Sequence, residues 1–173
     1  MAKLLDHHVA AILGNLQFES GGFRAIREYG KGSGPQNQPP PAGTKGCGYG
    51  WAQWTNSRLD DFLNYCKSTG KAPNSDDANF GFFIQDLEKS NIISTLSQNG
   101  TATAKWYGTR TFDCSTIEGA TGYVMAKYER PAIGVCHLPQ RIAYAKQILA
   151  GMNTNVPQRG ATTGTPGNGI NNK

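Results

Sequence analysis

The chain has 173 residues and a net charge of +5, and 38% of its residues are hydrophobic. This length suits one domain with a single core, and no apolar run approaches the ~20 residues that a membrane span needs. The positive charge favours an anionic polymer as a partner. Because no basic run is longer than two residues, the sequence argues against a nucleic-acid-binding protein.

The cysteines and histidines are not spaced as metal ligands. The four cysteines contain no C-x-x-C pair, and we expect His7 and His8 to lie on a solvated helix face, so we predict no metal and no cofactor. We expect reduced, partly buried thiols. One or two disulfides are the alternative, because spacing alone does not define a pairing. The cysteines are Cys47, Cys66, Cys114 and Cys136.

The N-terminal part of the chain predicts a long helix followed by a region without helical period. Apolar residues recur every three or four positions over 4–20, and the pair Gly21-Gly22 is a stop signal. We expect a small β-hairpin region over 23–55. Within it, 30–46 is rich in glycine and proline and predicts a surface loop.

The rest of the folded part predicts helices separated by capping and turn residues. In chain order we expect a helix from Thr55 or Ser57 to Gly70, one from Ser75 with Phe80 in its core stripe, a short one over 92–96, one over 101–111, one from Ser115 or Thr116 to Tyr128, and one over 138–149 with a stop at Gly151. From 153 onward the chain is polar. We therefore predict a domain over 1–152 and a tail or linker over 153–173.

Glu19 stands at the polar end of the first helix, in the stretch GNLQFESGG over 14–22. In the last helical turn the helix dipole disfavours a carboxylate, and burial beside aromatic rings adds to this effect. A carboxyl group that keeps its proton near neutral pH can act as a general acid in sugar cleavage. We therefore predict that Glu19 is catalytic, and that Ser20 positions it or contacts a sugar.

A second stretch, GYGWAQWT over 48–55, is rich in aromatic residues and has no charged residue. Its glycines permit the backbone to approach a ligand closely. Gln53 can bond to an N-acetyl group or orient a water molecule, and Trp51 or Trp54 can stack on a sugar, although a tryptophan is more often a core residue. We predict Tyr49, Gln53 and Trp54 as substrate contacts.

A third stretch, YERP over 128–131, is followed by Arg141 and Ala145. Together, and in this order, the three stretches resemble the phage tail lysozyme family, over residues 5 to about 150. The resemblance implies a mainly α, α+β lysozyme-like fold, a helical bundle with a small β-hairpin region beside the active-site cleft. It also implies cleavage of the peptidoglycan glycan at the β-1,4 bond between N-acetylmuramic acid and N-acetylglucosamine.

The resemblance also suggests roles for later residues. Glu28 follows Glu19 by nine positions, where another type of phage lysozyme has an aspartate that activates water. The alternative is a charge at a strand edge. We expect Tyr128, Glu129 and Arg130 to support the cleft, with Glu129 paired to Arg130 or to Arg141. We expect these three residues to support the cleft rather than to take part directly in catalysis.

Three other functions remain open at this stage. A lytic transglycosylase of the same fold would give 1,6-anhydro products, a non-catalytic tail module would bind walls without cleaving them, and a DNA-binding domain is disfavoured by the dispersed charge. We expect bacterial peptidoglycan as the substrate and other phage tail proteins as partners of the C-terminal tail. Without a signal peptide, the protein would act from the virion tail or after release from the host cytoplasm.

We expect the loop part over 34–43 to rim the cleft and to tolerate shortening.

Overall fold

The computed structural model of the protein describes residues 3–24, 27–28, 35–41 and 44–154. In these residues the chain is mainly helical with one small antiparallel sheet, which confirms the predicted fold class. The elements are α1 (Asp6–Ser20), α2 (Asn56–Thr69), α3 (Asp76–Lys89), α4 (Ile92–Leu96), β1 (Thr101–Lys105), β2 (Thr109–Asp113), α5 (Ile117–Val124), a π-helical turn (Met125–Glu129), a 3-10 turn (Ile133–Val135) and α6 (Leu138–Thr154).

Helix α1 crosses α6 at a close contact between Gly14 and Ala145. A Cβ atom added at Gly14 would lie 2.6 Å from the backbone nitrogen of Ala145, so the two backbones touch there and only glycine fits at that position. Arg141 lies one turn before Ala145, and Glu19 lies just over one turn beyond Gly14. The crossing therefore brings Arg141, near the end of the domain, close to Glu19, near its beginning.

Helices α2 and α3 enclose an aromatic core. Trp54 is 0% exposed, and its ring stacks on Phe62 at 4.7 Å and meets Phe82 edge-on at 5.0 Å between ring centroids. Ser75 caps α3 by accepting a hydrogen bond from the Ala78 backbone N–H, as its sequence predicts. The expectation for Phe80 is wrong, because its side chain is 56% exposed.

The small sheet lies at a different place in the chain from the one predicted. Residues 101–111, predicted as a helix, belong to β1 and β2, which pair Thr101 with Asp113 and Lys105 with Thr109. In the region 23–55, the described residues contain isolated bridges from Tyr49 to Arg27 and to Trp54, and no named strand.

The late helices also differ in detail from the prediction. The segment from Ser115 or Thr116 is helical as expected, with Thr116 accepting a hydrogen bond from the Gly119 N–H. It ends in a π-helical turn that stops at Arg130, whose φ of 52° is left-handed. Helix α6 passes through Gly151 and continues to Thr154, so Gly151 does not stop it.

All four cysteines are free thiols, and the three at 47, 66 and 114 are buried. Within the described ranges, no cluster of three metal-ligating side chains is present. The part of the chain that the structure describes also has no helix of the length and apolar character needed to cross a membrane.

Candidate active site

Glu19 lies in the last turn of α1 and reaches the surface. Gly21 ends the helix in a left-handed conformation, and its N–H donates to the carbonyl of Gln17. The Glu19 side chain is 20% exposed, and Oε1 accepts a hydrogen bond from Nη2 of Arg141. Among the described residues, no hydrogen bond reaches Oε2, and the side chain as a whole is partly accessible.

Arg141 is held in place by contacts on each side of its guanidinium group. Its side chain is only 1% exposed. Nε donates to the Cys136 carbonyl at 2.8 Å, and Nη1 donates to Oδ1 of Asn15 at 3.2 Å. The guanidinium also lies over the Phe18 ring, 4.4 Å from its centroid. A rigid arginine of this kind orients a carboxylate more strictly than a lysine would.

The support for Arg141 continues one layer further into the core. Asn15 is fully buried, and its Nδ2 donates to the carbonyls of Ala11 and Thr121 at 2.9 and 3.1 Å. Because both amide protons of Asn15 are used, its oxygen must face Arg141. The orientation of Glu19 is thus linked through two side chains to the packing of α1 against α5.

Glu129, at the end of the π-helical turn, interacts electrostatically with Glu19. Burial, and to a lesser degree repulsion from Glu19, raise its pKa from the ordinary 4.5 to about 8. Arg58 and Arg141 oppose this shift, while Asp86 adds to it. Glu129 is half-buried, and its raised pKa favours the protonated carboxyl at neutral pH.

Asp86 forms a second acid–arginine pair, on α3. Its Oδ2 accepts hydrogen bonds from Nη2 and Nε of Arg58 at 2.6 and 3.2 Å, from the Tyr128 hydroxyl at 2.6 Å, and from Nε1 of Trp54 at 3.1 Å. The Asp86 side chain is 9% exposed. Four donors on one oxygen in a closed environment make this carboxylate a structural anchor.

Glu28 and Gln53 meet around Gly48. The Glu28 N–H donates to the Gly48 carbonyl at 2.8 Å, and the Gly48 N–H points back to Oε2 of Glu28 at 3.3 Å. Oε1 of Gln53 lies 2.8 Å from the place where a Cβ of Gly48 would be. Glu28 and Gln53 are therefore both neighbours of Gly48.

The comparisons with known proteins fit this arrangement. The model of the family described as phage tail lysozyme matches residues 2–152. The chain belongs to the phage tail lysozyme family. Its function is therefore lysozyme-like and directed at peptidoglycan. Neither the search of curated proteins nor the search of solved structures gave a match.

In this phage tail lysozyme, three of the predicted substrate contacts are buried. Ser20 donates its hydroxyl to the Leu16 carbonyl and accepts the Phe23 N–H, so it closes the end of α1. Tyr49 donates its hydroxyl to the Asn37 carbonyl at 3.1 Å. Burial raises the pKa of Tyr49 to about 12.

Trp54 is the third of these buried residues, and its ring faces are covered by the aromatic core described above. The geometry therefore does not offer Trp54 to a sugar. Trp51 is half-buried beside Phe23, with ring centroids 5.6 Å apart. Because Trp51 is only half-buried while Trp54 is fully buried, Trp51 is the better candidate for a ligand contact.

The three residues over 128–130, predicted to support the cleft, have different surroundings. Tyr128 donates its hydroxyl to Asp86, Glu129 interacts electrostatically with Glu19, and Arg130 is exposed. The expected ion pair of Arg141 with Glu129 is replaced by the pair with Glu19. Sequence reasoning did not identify Asp86 or Arg58, because neither carries a local signal beyond its place on a helix.

The described part of the proline-rich loop is attached to the body of the domain. Gln36 accepts the Arg27 N–H at 2.7 Å, Asn37 accepts the Tyr49 hydroxyl, and Pro40 is buried. The ends of the predicted segment, at 34 and at 42 and 43, lie outside the described residues. Its proposed place at the rim of the cleft stays a prediction, but shortening it would remove these contacts.

Proposed function

We propose that the protein is a muramidase that hydrolyses the β-1,4 bond between N-acetylmuramic acid and N-acetylglucosamine, with Glu19 as the general acid. The observation that carries the proposal is the position of Glu19, a partly exposed carboxyl whose Oε1 is held by a buried arginine. The family match supports the substrate class.

The geometry suggests how the proton is transferred. Because Arg141 occupies Oε1, Oε2 is the oxygen that would give a proton to the glycosidic oxygen as the bond to the sugar C1 breaks. The sugar cation that forms is then attacked by water.

Glu28 is the proposed base that takes the proton from this water, with Gln53 beside it to orient the water molecule. Their meeting point at Gly48 supports this role. Trp51, rather than Trp54, is the proposed sugar contact. No metal or cofactor takes part in this proposal, since the two carboxyl groups supply both proton transfers.

Mass spectrometry of the fragments released from purified walls tests the bond and the mechanism together. We expect muropeptides with a reducing N-acetylmuramic acid end from the wild-type protein. Glu28→Gln should release the same products at least about tenfold more slowly. Products with a 1,6-anhydro end would identify a transglycosylase and remove the role of Glu28, while binding without release would identify a wall-binding tail module.

We also propose that the tail over 153–173 connects this domain to other phage tail proteins, so that the lysozyme works from the virion. Since α6 extends to Thr154, the connection would begin after that residue. A chain ending at 154 should cleave walls as fast as the full chain and should no longer bind its tail partner in a pull-down. Loss of cleavage on this truncation would instead make the tail part of the catalytic domain.

A further inference from the structure

A groove of about 410 Å³ lies between the β hairpin and the turn that follows α5. We call it the basic groove. It is lined by Thr103, Ala104, Lys105, Thr109, Lys127 and Arg130. No acid lines it, and its three charged residues are all cations. It is separate from the Glu19 pair, yet Arg130 directly follows Glu129 in the chain.

The three cations of the basic groove are not neutralised by acids of the described chain. Other cations of this domain do form such pairs, as Lys146 does with Glu118 at 2.6 Å and Lys89 with Asp61 at 3.3 Å. Lys105, Lys127 and Arg130 form no ion pair within the part of the chain that the structure describes. Like charges held together repel one another, so their convergence favours an anionic ligand.

The two walls of the groove are fixed to each other. Lys105 is paired with Thr109 across the hairpin, and Nε1 of Trp106, at the hairpin tip, donates to the Pro131 carbonyl at 2.8 Å. On the opposite wall, the Arg130 N–H donates to the Met125 carbonyl at 2.8 Å while the residue holds a left-handed φ of 52°. The groove is therefore a preformed site, which lowers the entropic cost of binding.

We propose that the basic groove binds the carboxylate groups of the stem peptides that peptidoglycan carries on its muramic acid residues. This inference rests on the proposed function, because it assumes that the glycan lies at Glu19. A ligand in the groove would then be attached to the same polymer as the reacting bond. The volume suits a short peptide rather than a polymer, and the hydroxyls of Thr103 and Thr109 can bond to peptide carbonyls.

Binding measurements can test this site without depending on activity. In a Glu19→Gln background, a groove variant, Lys105→Gln with Lys127→Gln, is compared with a control, Lys3→Gln with Lys67→Gln, which removes the same charge from exposed positions elsewhere. Each is sedimented with teichoic-acid-free peptidoglycan, and with glycan strands whose stem peptides an amidase has removed. Arg130 is left unchanged because of its backbone conformation.

We expect the groove variant to bind intact peptidoglycan at least about fivefold more weakly than the control, with a difference that shrinks at about 0.5 M salt. On stripped glycan strands the two variants should bind equally. Equal binding of both variants to intact peptidoglycan would overturn the proposal, and so would a difference that persists without stem peptides or appears only on walls that keep teichoic acid. Because binding is measured, an absence of muropeptide release by the wild-type protein would count against the proposed function alone.

Discussion

This domain contains two pairs of an acid with an arginine, Asp86 with Arg58 and Glu19 with Arg141, and the two pairs differ in their surroundings. Asp86 pairs with Arg58 in a closed site, where a single carboxylate oxygen receives four donors. Glu19 pairs with Arg141 through one hydrogen bond, and a fifth of its side chain is exposed, compared with 9% for Asp86. The arginine of the Glu19 pair is the buried partner, whereas in the Asp86 pair the acid is the more buried one.

This difference shows how a structural carboxylate can be distinguished from a reactive one. A nearly buried carboxylate that accepts four hydrogen bonds from protein groups holds those groups together, and its removal affects folding. A partly exposed carboxyl held by one arginine contributes less to folding. Replacing it with an amide should change the stability little but should abolish proton donation. The following predictions separate the two pairs, from the largest expected effect to the smallest.

The largest effect is expected for Glu19→Gln. Glutamine keeps an oxygen that accepts from Arg141 but cannot donate the proton, so the rate of wall lysis should fall by about 10²–10⁴-fold. The midpoint of chemical unfolding should change little. A clearing rate near that of the wild-type protein in a turbidity assay would remove Glu19 from the mechanism.

Asp86→Ala should affect stability first. Without the carboxylate, Arg58 and the Tyr128 hydroxyl lose a shared partner in the core, and the free energy of unfolding should fall by about 3 kcal/mol. Urea unfolding followed by tryptophan fluorescence measures this change. Activity per folded molecule should stay near the wild-type value, and a large loss there would give Asp86 a role in the reaction.

Arg141→Lys is expected to reduce activity by roughly tenfold to a hundredfold, because lysine cannot bond to Glu19, Asn15 and the Cys136 carbonyl together. The change should appear in kcat and shift the pH profile, with KM nearly unchanged. Arg58→Lys is the matched control in the other pair, and it should leave kcat per folded molecule unaltered. Equal losses in both variants would mean that Arg141 acts only through stability.

The smallest effect concerns the pH dependence of stability through Glu129. Its pKa is raised to about 8 in the folded protein, so the folded state holds a proton that the unfolded state releases above about 4.5. The free energy of unfolding should therefore decrease as pH rises from about 5 to 8. Glu129→Gln should flatten this decrease when unfolding midpoints are compared across that range, and an identical slope in both proteins would contradict the raised pKa.

Much of the fold could be predicted because helix signals are local. Ser75 and Thr116 cap their helices as their sequence positions indicate, and Gly21 ends α1. The hairpin at 101–113 was missed although its first strand alternates between exposed threonine and buried alanine. Its turn depends on Tyr107 and Gly108 at positive φ, 49° and 105°, and a bulky aromatic residue rarely marks such a turn.

The site was predictable only in part for a related reason. Glu19 could be placed by the helix and its stop signal, both within a few residues of it. Its partner Arg141 is 122 residues away, and only the crossing of α1 and α6 at Gly14 brings them together. The full burial of Trp54, and the partial burial of Trp51 three positions earlier, depend on how α2 and α3 close over the aromatic core, which no local pattern encodes.

The most direct test of the distinction between the two pairs measures muropeptide release per folded molecule for Glu19→Gln and Asp86→Ala in the same wall preparation. The folded fraction of each protein is determined in parallel from its unfolding curve. We expect Glu19→Gln to remain folded and to release almost nothing, and Asp86→Ala to be less stable and to release muropeptides at nearly the wild-type rate per folded molecule. Release by folded Glu19→Gln at a rate close to that of the wild-type protein would contradict the assignment of Glu19 as the general acid.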